Sequence, residues 1–210
     1  MTIETWLAFV AASTALLLIP GPTILLVLSY ALSQGRRVAL ASAAGVALGD
    51  LVAMSASLAG LGALVLTSAT LFSVLKWLGA AYLIYLGVML LRAPPRTDLA
   101  PGGEVPGFVS ARRIFAHSAA VTALNPKSIA FFIAFVPQFL SPEAPLAPQF
   151  AILIASFVSL AALNALAYAL LADRLRARIG RPSVLQGLNR IGGVALIGMG
   201  VLSAGLRRAA

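Results

Sequence analysis

Six runs of roughly 20 mainly apolar residues, near 5–32, 38–66, 70–91, 115–140, 148–172 and 190–206, divide this chain. A run of that length crosses a hydrocarbon core of about 30 Å as a helix. Lipid offers no partner to a free backbone amide or carbonyl, so each run must satisfy its own hydrogen bonds, and helix is how an unbroken apolar run does so. The fold class expected is therefore an all-α integral membrane protein with six transmembrane helices.

Composition agrees with that constraint. Hydrophobic residues make up 60% of the 210 and charged residues 10%, against about 45–50% and about 25% in soluble domains. Mean hydropathy is +0.99. The net charge of +9 does not point to nucleic acid, because the basic residues fall in short connections between apolar runs, where they report orientation. The absence of cysteine excludes disulfides, thiol relays and thiolate metal sites. A single histidine argues against a transition-metal centre, so no metal and no cofactor is expected. The first run lacks a basic lead and exceeds the roughly 7–15 apolar residues of a signal-peptide core, so it reads as a retained helix.

The stretch from Ala93 to Gly107 is rich in proline and glycine and reads as a polar linker, about 93–114, between two halves of one membrane domain that occupies 1–210. The halves, about 1–92 and 115–206, resemble each other. Lys76 to Gly79 and Leu86-Gly87-Val88 match Asn189 to Gly192 and Met199-Gly200-Val201 at an offset of 113, Asp50 matches Asn164 at 114, and Pro22 matches Pro126 at 104. Three spans per half make the copies inverted in the bilayer. Eleven of the fifteen lysines and arginines lie in connections 1–2, 3–4 and 5–6. That side is assigned to the cytoplasm, with both termini outside.

Two of the six runs are interrupted, by Pro20-Gly21-Pro22 in the first and Asn125-Pro126-Lys127 in the fourth. Proline removes a backbone donor and biases the preceding residue out of helix, which frees polar backbone groups at membrane depth. Such groups are tolerated facing protein or a water-filled cavity, and paired breaks in two halves mark the binding sites of secondary transporters. Both runs restart at a half-helix N-terminus, whose amides and dipole favour an anion.

Asp50, Lys76 and Lys127 lie within the apolar runs, at a cost of about 2.5–3.5 kcal/mol each at a helix centre. Counted from the nearest cytoplasmic arginine, Asp50, Lys76, Lys127 and Pro22 lie about 20, 24, 21 and 21 Å deep. Lys76 and Lys127 with the two N-termini suit a carboxylate, while Asp50 suits an ammonium group or a proton, so a zwitterion fits both. Pro20, Gly21, Pro22, Lys76, Asn125, Pro126, Lys127 and Asn164 are the expected substrate-binding positions, with Asp50 the proton-coupling residue.

Blander readings apply to the same residues. Asp50 and Lys76 suit a structural ion pair, Pro20-Gly21-Pro22 a helix kink, and Asn164 an interhelical hydrogen bond. His117 reads as solvated or capping, Trp77, Tyr82 and Tyr85 as packing or interfacial anchors, and Gly45, Gly49, Gly60, Gly79, Gly87, Gly192, Gly193, Gly198 and Gly200 as close-packing positions. Small residues on the third and sixth spans suit packing within one copy or between copies of a homo-oligomer. A passive channel, a carrier of inorganic cations and a membrane enzyme are the competing functions. The single buried carboxylate speaks against a divalent cation, and no nucleophile, base or metal cluster near an interface supports an enzyme.

Leu18-Ile-Pro-Gly-Pro22, Gly45 through Asp50, Lys76-Trp-Leu-Gly-Ala-Ala-Tyr-Leu83 with Tyr85-Leu-Gly87, and Asn125-Pro-Lys127 together resemble the LysE/RhtB family of amino-acid exporters. The resemblance implies a bacterial inner-membrane protein of six spans. It also implies outward transport of amino acids or their derivatives, driven by protons.

Overall fold

A computed structural model describes residues 1–35, 38–67, 69–93, 109–141, 144–172, 174 and 182–205. The described residues form helices without strands. They are α1 (Ile3–Leu18), α2 (Pro22–Gln34), α3 (Ala39–Thr67), α4 (Ala69–Arg92), α5 (Ala111–Ala123), α6 (Pro126–Ala134), a 3-10 turn (Val136–Phe139), α7 (Leu146–Leu170) and α8 (Pro182–Gly205). Most of the expected linker, Arg36, Arg37, Arg96, the arginines from 176 to 181 and those of the tail lie outside the described residues, as does the side chain of Lys76.

Both interrupted runs are broken where the prolines stand. α1 and α2 meet at 56°, and α5 meets the segment from Pro126 to Phe139 at 45°. Each restart has proline at the first helical position, where its missing N–H removes nothing the helix uses. By length and composition, Ala39–Ala63, Leu146–Leu170 and Gln186–Ala204 can each cross a membrane, and the two bent pairs raise the number to five among the described residues. α4 adds a shorter apolar stretch, Trp77–Arg92. The last helix begins at Pro182, eight residues before the expected start, and α5 begins at Ala111, inside the expected linker.

α3 packs on α5 and α7, α4 packs on α8 and α6, and α1 and α2 both pack on α7. Glycines set the closest of these approaches. A Cβ on Gly49 would stand 2.6 Å from Thr122 Cβ of α5. A Cβ on Gly87 would meet Gly193 O and Ile197 of α8, and one on Gly200 would meet Ala80 O and Ile84 of α4. These two contact sets exchange under the offset of 113. Gly60 and Gly198 depart from the close-packing expectation, since a Cβ on either meets nothing within 4 Å.

The four largest fully buried side chains are phenylalanines: Phe9, Phe131, Phe132 and Phe157. Phe9, Phe131, Phe132, Phe135, Phe139 and Phe157 form a chain of ring contacts with centroids 4.9 to 6.1 Å apart. Phe9 lies about two and a half turns before the end of α1, Phe157 precedes Ala161 by about one turn on α7, and Phe131 follows Lys127 by about one turn on α6. The cluster therefore lies toward the side where α1 and α7 begin.

Candidate functional site

Ending α1 at Leu18 leaves four carbonyls, those of Leu16, Leu17, Leu18 and Ile19, without their normal helical donors. Pro20 and Pro22 have no N–H for Leu16 and Leu18, and the chain turns away before Gly21 and Thr23 can serve the other two. Each carbonyl is satisfied from elsewhere in the fold. Lys127 Nζ donates to Leu16 O (3.1 Å) and Ile19 O (3.0 Å). Asn164 Nδ2 donates to Leu17 O (3.0 Å), and the Tyr168 hydroxyl donates to Leu18 O (3.1 Å). Leu16 O also accepts from Ile19 N (3.3 Å) in a tightened last turn. A cation at this end complements the negative pole of α1.

The second break is closed mainly by its own chain. Asn125 N donates to Thr122 O, the bond Pro126 cannot make, and Asn125 Oδ1 accepts from Lys127 N (3.1 Å) as the N-cap of α6. The two breaks then touch. Asn125 Nδ2 donates to Thr23 Oγ1 (3.1 Å), and the Thr122 hydroxyl donates to the same oxygen (3.4 Å). A Cβ on Gly21 would lie 3.3 Å from Lys127 Nζ, so glycine leaves the lysine its place.

Between the breaks lies a narrow crevice whose lining includes Gly21, Thr23, Asp50, Asn125, Lys127 and Asn164. Asp50 is 2% exposed, and its Oδ1 has no hydrogen-bond partner among the described residues. A buried carboxyl oxygen without a donor is costly, and a residue kept in that state is a candidate for function.

Of the positions singled out in the sequence, Gly21, Asp50, Asn125, Lys127 and Asn164 line one crevice. Pro20, Pro22 and Pro126 flank it by creating the breaks. Lys76 sits on α4 one turn before Gly79, where a Cβ would meet Ala134 of α6. Thr23, Thr122, Ser128 and Tyr168 were missed. Tyr168 was discoverable as the same-face neighbour of Asn164 one turn on; Thr122 and Ser128 carry no such signal, because hydroxyls are common in membrane helices. His117 is exposed, with Nδ1 2.7 Å from the Tyr30 hydroxyl. Trp77 and Tyr85 are exposed, and Tyr82 is half-buried.

A family model described as LysE type translocator matches residues 14–204. The chain is 36% identical over 209 residues to the homoserine/homoserine lactone efflux protein of Salmonella typhimurium, covering 100% of both chains. It is 33% identical to an uncharacterized membrane protein of Vibrio cholerae, over 97% of this chain and 98% of that one. It is 32% identical to the leucine efflux protein of Salmonella choleraesuis, over 65% of this chain and 64% of that protein. No solved structure matches.

Proposed function

We propose, from the premise that this chain belongs to the LysE type translocator family, that it is a secondary exporter of amino acids or their derivatives across the bacterial inner membrane. The observation that carries the reading is the crevice where the two chain breaks meet, with an unpartnered buried aspartate and a lysine on its wall. Substrate sits between the breaks, against Gly21, Asn125, Lys127 and Asn164, and Lys76 keeps the substrate-binding role expected from the sequence. Pro20, Pro22 and Pro126 keep the backbone open there. The names of the Salmonella relatives support an amino-acid-like cargo.

Transport is by alternating access, with two inverted three-helix halves rocking about the crevice. The exchangeable contacts of Gly87 and Gly200 support a two-fold relation between α4 and α8. The phenylalanine cluster acts as the seal on the outer side, where both termini lie. Asp50 carries the coupling proton. One proton entering per neutral zwitterion leaving moves one net charge inward, which gains about 2.3 kcal/mol per 100 mV.

Inverted vesicles containing the purified protein test this. With an acid lumen they should accumulate L-homoserine or L-leucine above the external concentration. Equilibration without accumulation identifies a passive facilitator and overturns the coupling, and absence of transport for every amino acid tried overturns the exporter.

A further inference from the structure

The four carbonyls at the end of α1 are held in two different ways. Those of Leu17 and Leu18 accept from Asn164 and Tyr168, neutral donors one turn apart on the single helix α7. Those of Leu16 and Ile19 accept from one ammonium on a long flexible stem that belongs to the other break. Among the described residues, Asp50 and Lys127 are the two charged ones lining the crevice. Nζ nevertheless directs two of its three protons at backbone carbonyls, while Asp50 Oδ1, buried in the lining of the same crevice, has no donor among the described residues.

We propose that Lys127 occupies the substrate's own ammonium site and exchanges between that site and Asp50, which makes substrate and proton occupancy mutually exclusive. The idea rests on the exporter reading above and names the group recognised: a primary ammonium, held by Leu16 O and Ile19 O at the negative end of α1. In the empty crevice the lysine lies on the carbonyls and Asp50 holds a proton. A substrate ammonium arriving at the carbonyls displaces the lysine, which turns to Asp50. The carboxyl O–H bond breaks and its proton leaves to the water on the side from which substrate came. When substrate departs on the opposite side, the lysine returns to the carbonyls and the carboxylate takes a proton from there. Each amine exported is thereby matched by one proton carried inward.

The chemistry of the relatives' cargoes points the same way. Homoserine and leucine, named for two relatives, carry an ammonium and a carboxylate, whereas the lactone named with homoserine has its carboxyl group closed in a ring. The α-amine is the ionic group that all three share. The lactone leaves nothing for a carboxylate subsite to hold, so an ammonium site is the feature such a set requires.

Lys127→Met keeps the stem and removes the ammonium, leaving the carbonyls of Leu16 and Ile19 open. Propylammonium chloride, titrated into the purified full-length protein, should raise the unfolding midpoint of this variant with an apparent affinity roughly tenfold or more tighter than in the wild type. Sodium propionate should have no effect. Equal or weaker propylammonium affinity in the variant, or a response to propionate instead, overturns the proposal. If the variant does not fold, the wild type decides: saturating propylammonium in lightly buffered solution should release a proton, Asp50→Asn should bind without release, and binding by the wild type without release overturns the exchange. Accumulation of amino acids in vesicles together with failure of these titrations removes the exchange and leaves the exporter standing. The reverse pattern removes the exporter and keeps the amine site.

Discussion

The side-chain amide of Asn125 donates to the hydroxyl oxygen of Thr23 across 3.1 Å, so the two chain breaks, 102 residues apart in sequence, are in direct hydrogen-bond contact. Both residues are buried, at 4% and 8% exposure. The Thr122 hydroxyl meets the same oxygen, and Lys127 reaches past Gly21 to the end of α1. The breaks form one polar joint, and disturbing either should be felt at the other.

The contact between the breaks is directly testable, because the chain contains no cysteine. Thr23→Cys with Thr122→Cys should form a disulfide on mild oxidation, read as loss of maleimide labelling that returns on reduction. Persistent labelling of both thiols in the folded protein would show that the breaks stand apart.

Asp50→Asn should retain the fold and lose gradient-driven efflux by at least roughly tenfold, since the amide cannot ionise and so carries no net proton. Exchange of labelled for unlabelled substrate at equal concentration should survive. Uphill accumulation at the wild-type rate would remove Asp50 from the coupling role.

The donors on α7 should be worth modest and separable amounts. Tyr168→Phe deletes the bond to Leu18 O, and Asn164→Ala the bond to Leu17 O; each should cost about 0.6 kcal/mol, the average for such bonds within membranes. Reversible unfolding in detergent measures both. A loss several times larger would mean that the end of α1 collapses when a single carbonyl is released.

Glycines on one helix should differ sharply in their tolerance. Gly49→Ala places a methyl group 2.6 Å from Thr122 Cβ and 2.5 Å from Ala119 O, so it should destabilise by about 1–3 kcal/mol through overpacking. Gly60→Ala meets nothing within 4 Å and should be neutral, or stabilising by up to about 1 kcal/mol through helix propensity. Unfolding midpoints of the two variants check this directly.

Single cysteines test the orientation. With the termini outside, Ala144→Cys should react with a membrane-impermeant maleimide on intact cells and Gly35→Cys only after lysis. The opposite pattern would invert the assignment of the eleven-arginine side.

Much of this was dictated locally, and so was legible in the chain. The helices follow from apolar length in a medium that cannot hydrate a backbone. The breaks at Pro20-Gly21-Pro22 and Asn125-Pro126 follow from the missing proline amides, and the membrane cost of charge singled out Asp50 and Lys127. Only the tertiary structure decided who answers whom. The sequence placed a lysine beside the second break and suggested a carboxylate for it; the fold spends its ammonium on the carbonyls of Leu16 and Ile19 in the first. Asn164 and Tyr168 complete the same end of α1 from α7, while Asp50, at the matching depth, is left with an unpartnered oxygen. The reason is physical. A proline announces in the sequence which backbone groups it frees, but which side chain satisfies them depends on helices brought together across more than 100 residues.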